Sequence, residues 1–258
     1  MFASGTPAGH PIVGTVGGVS DDAPEDRPTE YRQYRFRRPP GATEIFLVRH
    51  GESAAVVPGV AIPEVDGHDD PALAPDGRWQ AEQVGHRLAD QQVDAIYVTT
   101  LRRTHETAAP LAEKLGITPV VEPDLREVHL GEWEGGGFRK HVAEGHPLAV
   151  KMFATQRWDA IPGAESSEAF GARLRAGIGR IVAAHPDQRV VVVVHGGVIG
   201  ELVRQAVDGQ RGFAFVGADN GSITHLVVTE DRWIVRRFND TAHLGGFDLD
   251  PEPELPES

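Results

Sequence analysis

The chain runs to 258 residues, 40% hydrophobic and 24% charged, with 38 acidic against 25 basic residues and a net charge of −13. That is room for one large or two small domains with a substantial core, and so acidic a balance argues against non-specific nucleic-acid binding. The absence of cysteine excludes disulfides, thiolate nucleophiles and cysteine-ligated zinc.

Residues 1–40 are rich in Gly, Pro, Asp and Ser without sustained periodicity, and read as a flexible arm. They hold no apolar block of the kind a secretory leader needs, and Arg37-Arg38 is followed only by a short apolar run, too short for twin-arginine export. No stretch approaches the roughly 18 apolar residues of a membrane span. The expected location is cytoplasmic, with no membrane partner.

A buried strand is expected over Glu44 to Val48, followed by a helix over Asp76 to Ala89 with Trp79, Val84 and Leu88 on its apolar side. A second strand, Val93 to Val98, leads into a helix over Thr104 to Leu115, which Gly116 is suited to end. Pro119 to Glu122 forms a short third strand. The stretch from Phe138 to Ser166 is weakly periodic and reads as an excursion over the sheet edge that walls a pocket. Ser167 to Ala184 is a longer helix, with Phe170, Leu174, Ile178 and Ile181 on one face. Val190 to Val194 is the most hydrophobic strand, and a helix through Val198, Leu202 and Ala206 comes after it. Ile223 to Val228 and Trp233 to Phe238 make a closing hairpin, and Asp248 to Ser258 is an acidic tail. Strands alternating with helices, several of them wholly apolar, predict an α/β fold: a three-layer α/β/α sandwich with a mostly parallel central sheet.

Two of these strands end alike, in histidine, then glycine, then a helix: Arg49-His50-Gly51 and His195-Gly196-Gly197. In parallel sheets ligands sit beyond the carboxyl ends of strands. A glycine there lets the chain turn and brings helix N-terminal N–H groups, Gly196 among them, towards an anion. His50 and His195 are therefore expected to be neighbours in space. An arginine at a buried strand end, Arg49, needs an anionic partner.

Leu47-Val48-Arg49-His50-Gly51-Glu52-Ser53 resembles the signature of the histidine phosphatase superfamily, in its phosphoglycerate mutase-like branch. So, in order, do Asp70 to Gly77, Tyr97 to Ala108 (with Leu101-Arg102-Arg103), Leu125 to Gly135 (with Glu127) and Val194 to Gly197. Asn220-Gly221-Ser222 and Asn239 to Leu244 are similar to later family segments. The resemblance covers residues 43–245 and sets a domain over 41–247. It implies that His50 is a nucleophile that becomes phosphorylated and that Glu127 is the proton donor. It also implies that Arg49, Arg103 and His195 clamp the phosphoryl oxygens, with Ser53 and Gly196 also contacting substrate. Arg103 is preferred to Arg102 because the family's pocket arginine stands two after the leucine.

The chemistry suits these roles. A transferring phosphoryl group spreads charge over three equatorial oxygens, and arginine offers paired donors where lysine offers a point charge. Two cations beside His50 keep it neutral and nucleophilic, whereas His195 is expected to serve as a charged donor once phosphate binds. No metal or other cofactor is required. Val56 stands where family members often have asparagine, which marks Ala54 to Gly67 as the place where substrate preference differs. His68-Asp69-Asp70 is read as a hydrogen-bonded turn and not as a metal site. His129, His141, His146, His225 and His243 are read as structural. Trp133 and Trp158 are read as core residues before pocket ones.

These readings give a metal-independent phosphomonoesterase acting on a small-molecule phosphate ester, with a homodimer as one possible assembly. A phosphoglycerate mutase or related phosphotransferase is the alternative, disfavoured by the short interval from Glu127 to His195, and a non-catalytic phospho-ligand binder stands behind it.

Overall fold

The structure, a computed structural model, describes residues 31–57, 59–215 and 217–245. The expected tail at 248–258 and the first thirty residues of the expected arm lie outside the described residues. The chain divides into two units, Met1–Arg37 and Arg38–Ser258. In the first, residues 31–37 form neither helix nor strand.

The second unit is built on a six-stranded sheet. Its strands, in chain order, are β1 (Thr43–Arg49), β4 (Ala95–Val98), β5 (Val120–Val121), β6 (Arg189–Val194), β7 (Ile223–Val228) and β8 (Trp233–Asp240); the pair β2 (Glu64–Val65) and β3 (His68–Asp69) stands apart. The spatial order is β5-β4-β6-β1-β7-β8. The first four run parallel, and β7 and β8 add an antiparallel edge, which is the predicted hairpin. The helices are α1 (Pro75–Leu88), α2 (Arg102–Leu115), α3 (Gly137–Ala143), α4 (Pro147–Thr155), α5 (Ser167–Ala184) and α6 (Gly196–Ala206).

Strand side chains alternate between faces, and the core divides accordingly. Ile45 and Leu47 of β1, with Val190, Val192 and Val194 of β6, face Phe170, Leu174 and Ile178 of α5 and Val198 and Leu202 of α6. Phe46 and Val48, with Val191 and Val193, face Val84 and Leu88 of α1 and Ala108 and Leu111 of α2. The result is the expected three-layer sandwich with both sheet faces covered.

The caps follow ordinary chemistry. Pro75 supplies the first turn of α1, Ser166 accepts a hydrogen bond from Ala169 N–H at the start of α5, and Gly116 ends α2 at φ +66°. One expectation needs correction: Trp79 does not belong to the apolar side of α1; it is 50% exposed, and Val84, Leu88 and Ala81 make that face. The Phe138 to Ser166 stretch forms α3 and α4 with a 3-10 turn at Trp158–Ala160, and Phe138, Arg139 and Trp158 from it line a cavity.

Because β6 inserts between β4 and β1, the carboxyl ends of three parallel strands meet at one rim. α1 leaves that rim towards one face of the sheet and α6 towards the other. Divergence of neighbouring connections opens a crevice there.

Candidate active site

His50 is the first residue beyond β1, tied to β6 by its backbone N–H, which donates to Val194 C=O at 2.9 Å. Its own carbonyl accepts from Asn220 Nδ2 at 2.8 Å. The ring is buried. Its Nδ1 lies 2.7 Å from Gly51 C=O, an acceptor only, so Nδ1 carries the ring proton. The lone pair is therefore on Nε2, which accepts from Arg103 Nε at 3.2 Å. Burial, then Arg103, then Arg49 hold the His50 pKa well below the ordinary value near 6.5, so the ring is neutral.

Arg103 stands in the first turn of α2 and is itself buried. Its Nη1 donates to Asp69 C=O at 2.7 Å. Thr107, one turn on, accepts from Gly51 N–H at 3.0 Å and donates to Arg103 C=O at 2.7 Å, which locks α2 to the turn after His50. Close approach of Gly51 to Gly77 of α1 completes that turn: a Cβ at position 51 would lie 2.3 Å from Gly77 O. Arg102, by contrast, points to the surface and pairs with Glu106.

Arg49 hydrogen-bonds Ala218 C=O through Nη1, and its Nε is buried with no protein partner. Glu127 follows the 3-10 turn Pro123–Leu125. Its oxygens accept from Val128 N–H at 2.9 Å and from Gly197 N–H, in the first turn of α6, at 3.0 Å. Arg173 of α5 holds the backbone before it, donating to the carbonyls of Asp124, Arg126 and Glu127 and forming a two-pronged ion pair with Glu165.

His195 is fully buried, its ring edge-on to that of His50 with centroids 5.2 Å apart. Its Nε2 meets Thr99 Oγ1 at 3.1 Å. Thr99 Oγ1 already accepts from Leu101 N–H, and the neighbouring Thr104 hydroxyl donates to Leu101 C=O. Thr99 Oγ1 also lies 3.3 Å from Thr104 Oγ1, and His195 Nδ1 is buried without a partner. Burial, then Arg103 and His50, keep its pKa well below the ordinary value. The expected charged state is therefore absent from the unliganded site, and an anion has to arrive to favour it.

Arg49, His50, Ser53, Arg103 and Glu127 line one cavity of about 370 Å³. His195 and Gly196 are not on its wall: His195 sits behind His50, and a methyl group at Gly196 would touch Arg49 Nε at 3.4 Å. Ser53 accepts from Arg139 Nη2 at 2.6 Å. Arg139, on α3, lines the cavity; its stretch is the one expected to wall a pocket, but no motif singles out this residue within it. Asn220 was noted only as part of a family-like segment.

Trp158 is both buried and on the cavity wall, while Trp133 is core. Asp69 and Asp70 are engaged as loop residues: Asp69 accepts from Gly135 and Gly136 N–H, and Asp70 from Arg102 N–H. Among the described residues no group of three or more His, Asp or Glu could hold a metal ion, and no helix is long and apolar enough to cross a membrane.

A model of the histidine phosphatase superfamily (branch 1) matches residues 45–241. Phosphoglycerate mutase-like protein 4 of Arabidopsis thaliana is 35% identical over 78% of this chain and 86% of its own length. A metal-independent phosphoserine phosphatase of the same plant is 31% identical over 82% and 90%. The solved structure of a mycobacterial glucosyl-3-phosphoglycerate phosphatase superposes with a TM-score of 0.65 at 29% identity, covering 77% of this chain and 99% of that one.

Proposed function

Since the chain belongs to the histidine phosphatase superfamily, branch 1, we propose that it hydrolyses phosphomonoesters through a phosphohistidine formed on His50. The observation that carries this reading is the single tautomer of His50, with Nδ1 committed to Gly51 and the Nε2 lone pair held beside the Arg103 guanidinium.

In this mechanism Arg49 and Arg103 bind the phosphoryl oxygens, the unpartnered Arg49 Nε gains an acceptor, and His195 packs edge-on against the His50 ring. His50 Nε2 attacks phosphorus, the P–O bond to the leaving group breaks, and Glu127 gives its proton to the departing alkoxide. Glu127 then takes a proton from water as that water cleaves the P–N bond, releasing inorganic phosphate and restoring neutral His50. The developing charge is stabilised by guanidiniums already fixed by Asp69 and Ala218 carbonyls, so little reorganisation is needed at the moment of transfer. Each step uses side chains alone.

The test is hydrolysis of p-nitrophenyl phosphate in excess chelator. Full activity is expected, with a phosphoenzyme that is labile to acid and stable to base when the reaction is quenched. His50→Ala should remove both turnover and label while the circular dichroism stays native. A label that survives this substitution, or activity that chelation abolishes, would overturn the reading.

A further inference from the structure

The cavity beside His50 is chemically divided. Its polar groups of catalytic type, Arg49, Arg103, His50 and Glu127, gather at one end. Most of the remaining wall is hydrocarbon, supplied above all by Val56, Val60, Ile62, Phe138 and Trp158. Val57 and Val60 are 53% and 63% exposed at its mouth, apolar surface that the protein itself leaves uncovered.

The acidic side chains on that wall already hold partners within the protein. Asp69 is capped by Gly135 and Gly136 N–H groups, and Glu134 accepts from Leu130 and Asp69 N–H groups. Each terminal nitrogen of Arg139 gives one of its N–H groups, to Ala54 C=O and to Ser53 Oγ, so this guanidinium ties the loop to α3. His68 donates from Nδ1 to Asp66 C=O, which leaves its unpartnered Nε2 as an acceptor. The loop is firmly seated: a Cβ on Gly136 would fall 2.6 Å from Val56 and 2.8 Å from Ile62.

We propose that the substrate is the phosphomonoester of an uncharged, apolar alcohol, whose hydrocarbon part lies against Val56, Val60, Ile62, Phe138 and Trp158. This rests on the phosphatase reading and narrows it. A leaving group bearing a carboxylate would meet a single additional cation, Arg139, and would have to lie beside the carboxylates of Asp69 and Glu134. A hydrocarbon group loses nothing there and removes exposed valine surface from water.

The experiment compares alcohols of similar intrinsic reactivity, so that binding and not leaving-group chemistry is read. kcat/KM is measured with the full chain for benzyl phosphate and 3-methylbutyl phosphate against phosphoserine and glycerol 3-phosphate, with p-nitrophenyl phosphate as the control for hydrolysis. The apolar pair is expected to exceed the polar pair at least tenfold, mainly through KM. Val60→Asn, at a position exposed enough to tolerate the change, should cut the benzyl-to-glycerol ratio at least fivefold. Hydrolysis of p-nitrophenyl phosphate with phosphoserine equal to or better than benzyl phosphate overturns the inference and leaves the phosphatase intact. An unchanged ratio in Val60→Asn does the same. No hydrolysis of p-nitrophenyl phosphate overturns both.

Discussion

At the scale of single residues, the site works by keeping two histidines uncharged among arginines. His50 and His195 have pKa values well below 6.5, first by burial and then through Arg103 and, for His50, Arg49. An unfolded chain therefore binds more protons at these positions than the folded one below about pH 6.5. Their contribution to stability is full above that value and is lost as the pH falls, at up to about 1.4 kcal/mol per pH unit for each proton. Melting temperature should accordingly drop from pH 7 to pH 5, and His50→Gln should make that slope shallower. His225, lowered to about 4 by burial, steepens the slope in both proteins and leaves their difference alone. An identical slope in the variant would mean that His50 is not held neutral by the fold. These histidines were legible in the sequence because each stands between an apolar strand and a glycine. Arg139 was not, because a guanidinium on a short helix has no distinguishing spacing, and only the folded loop shows it reaching Ser53.

Among elements, the loop carrying Glu127 depends on a helix far along the chain. Arg173 of α5 gathers three consecutive-region carbonyls, of Asp124, Arg126 and Glu127, while its other prong grips Glu165. Removing it deprives those carbonyls of a donor and leaves a largely buried carboxylate with only the His129 N–H, a loss of about 2–3 kcal/mol when the partial exposure of the pair is allowed for. It also frees the backbone that aims Glu127, and a misplacement near 1 Å costs roughly 100-fold in rate. Arg173→Met should therefore lower kcat 10- to 100-fold with a small change in KM. The double variant Arg173→Met, Glu165→Met separates the two effects: with no charge left unpaired, stability should largely return, but kcat should stay low. Recovery of kcat along with stability would assign Arg173 a purely structural part. The helices α1, α2, α5 and α6 could be read from sequence because each buries a full stripe. α3 buries none of its residues completely and α4 only Ala149 and Met152, so neither carries the periodic signal that identifies a helix. Trp79 misled for the opposite reason: its apolar character suggested the core, yet its position on α1 turns it outward.

Across the whole molecule, a chain of net charge −13 concentrates three guanidiniums around one cavity. Alternation of strands and helices was enough to foresee the sandwich, but not the order β4-β6-β1, which depends on the last parallel strand inserting between two earlier ones. That insertion brings His195 behind His50 and makes the site a property of the assembled sheet. Arg49, Arg103 and Arg139 share the cavity, and each lowers the His50 pKa. Their mutual repulsion, together with the unpartnered Arg49 Nε, is relieved by a dianion bound at this point and has no counterpart in the unfolded chain. Inorganic phosphate or vanadate at about 100 times its dissociation constant should then add roughly 2.7 kcal/mol of stability. For a domain of this size that is a rise in Tm of about 5–10 °C. The shift should saturate with concentration and shrink sharply in Arg103→Met, which keeps the stem of the side chain and removes its donors. Potassium chloride at the same ionic strength supplies screening without a tetrahedral acceptor. If it raises Tm as far as phosphate does, the gain is relief of the overall negative charge, and the cavity is not the anion's place of binding.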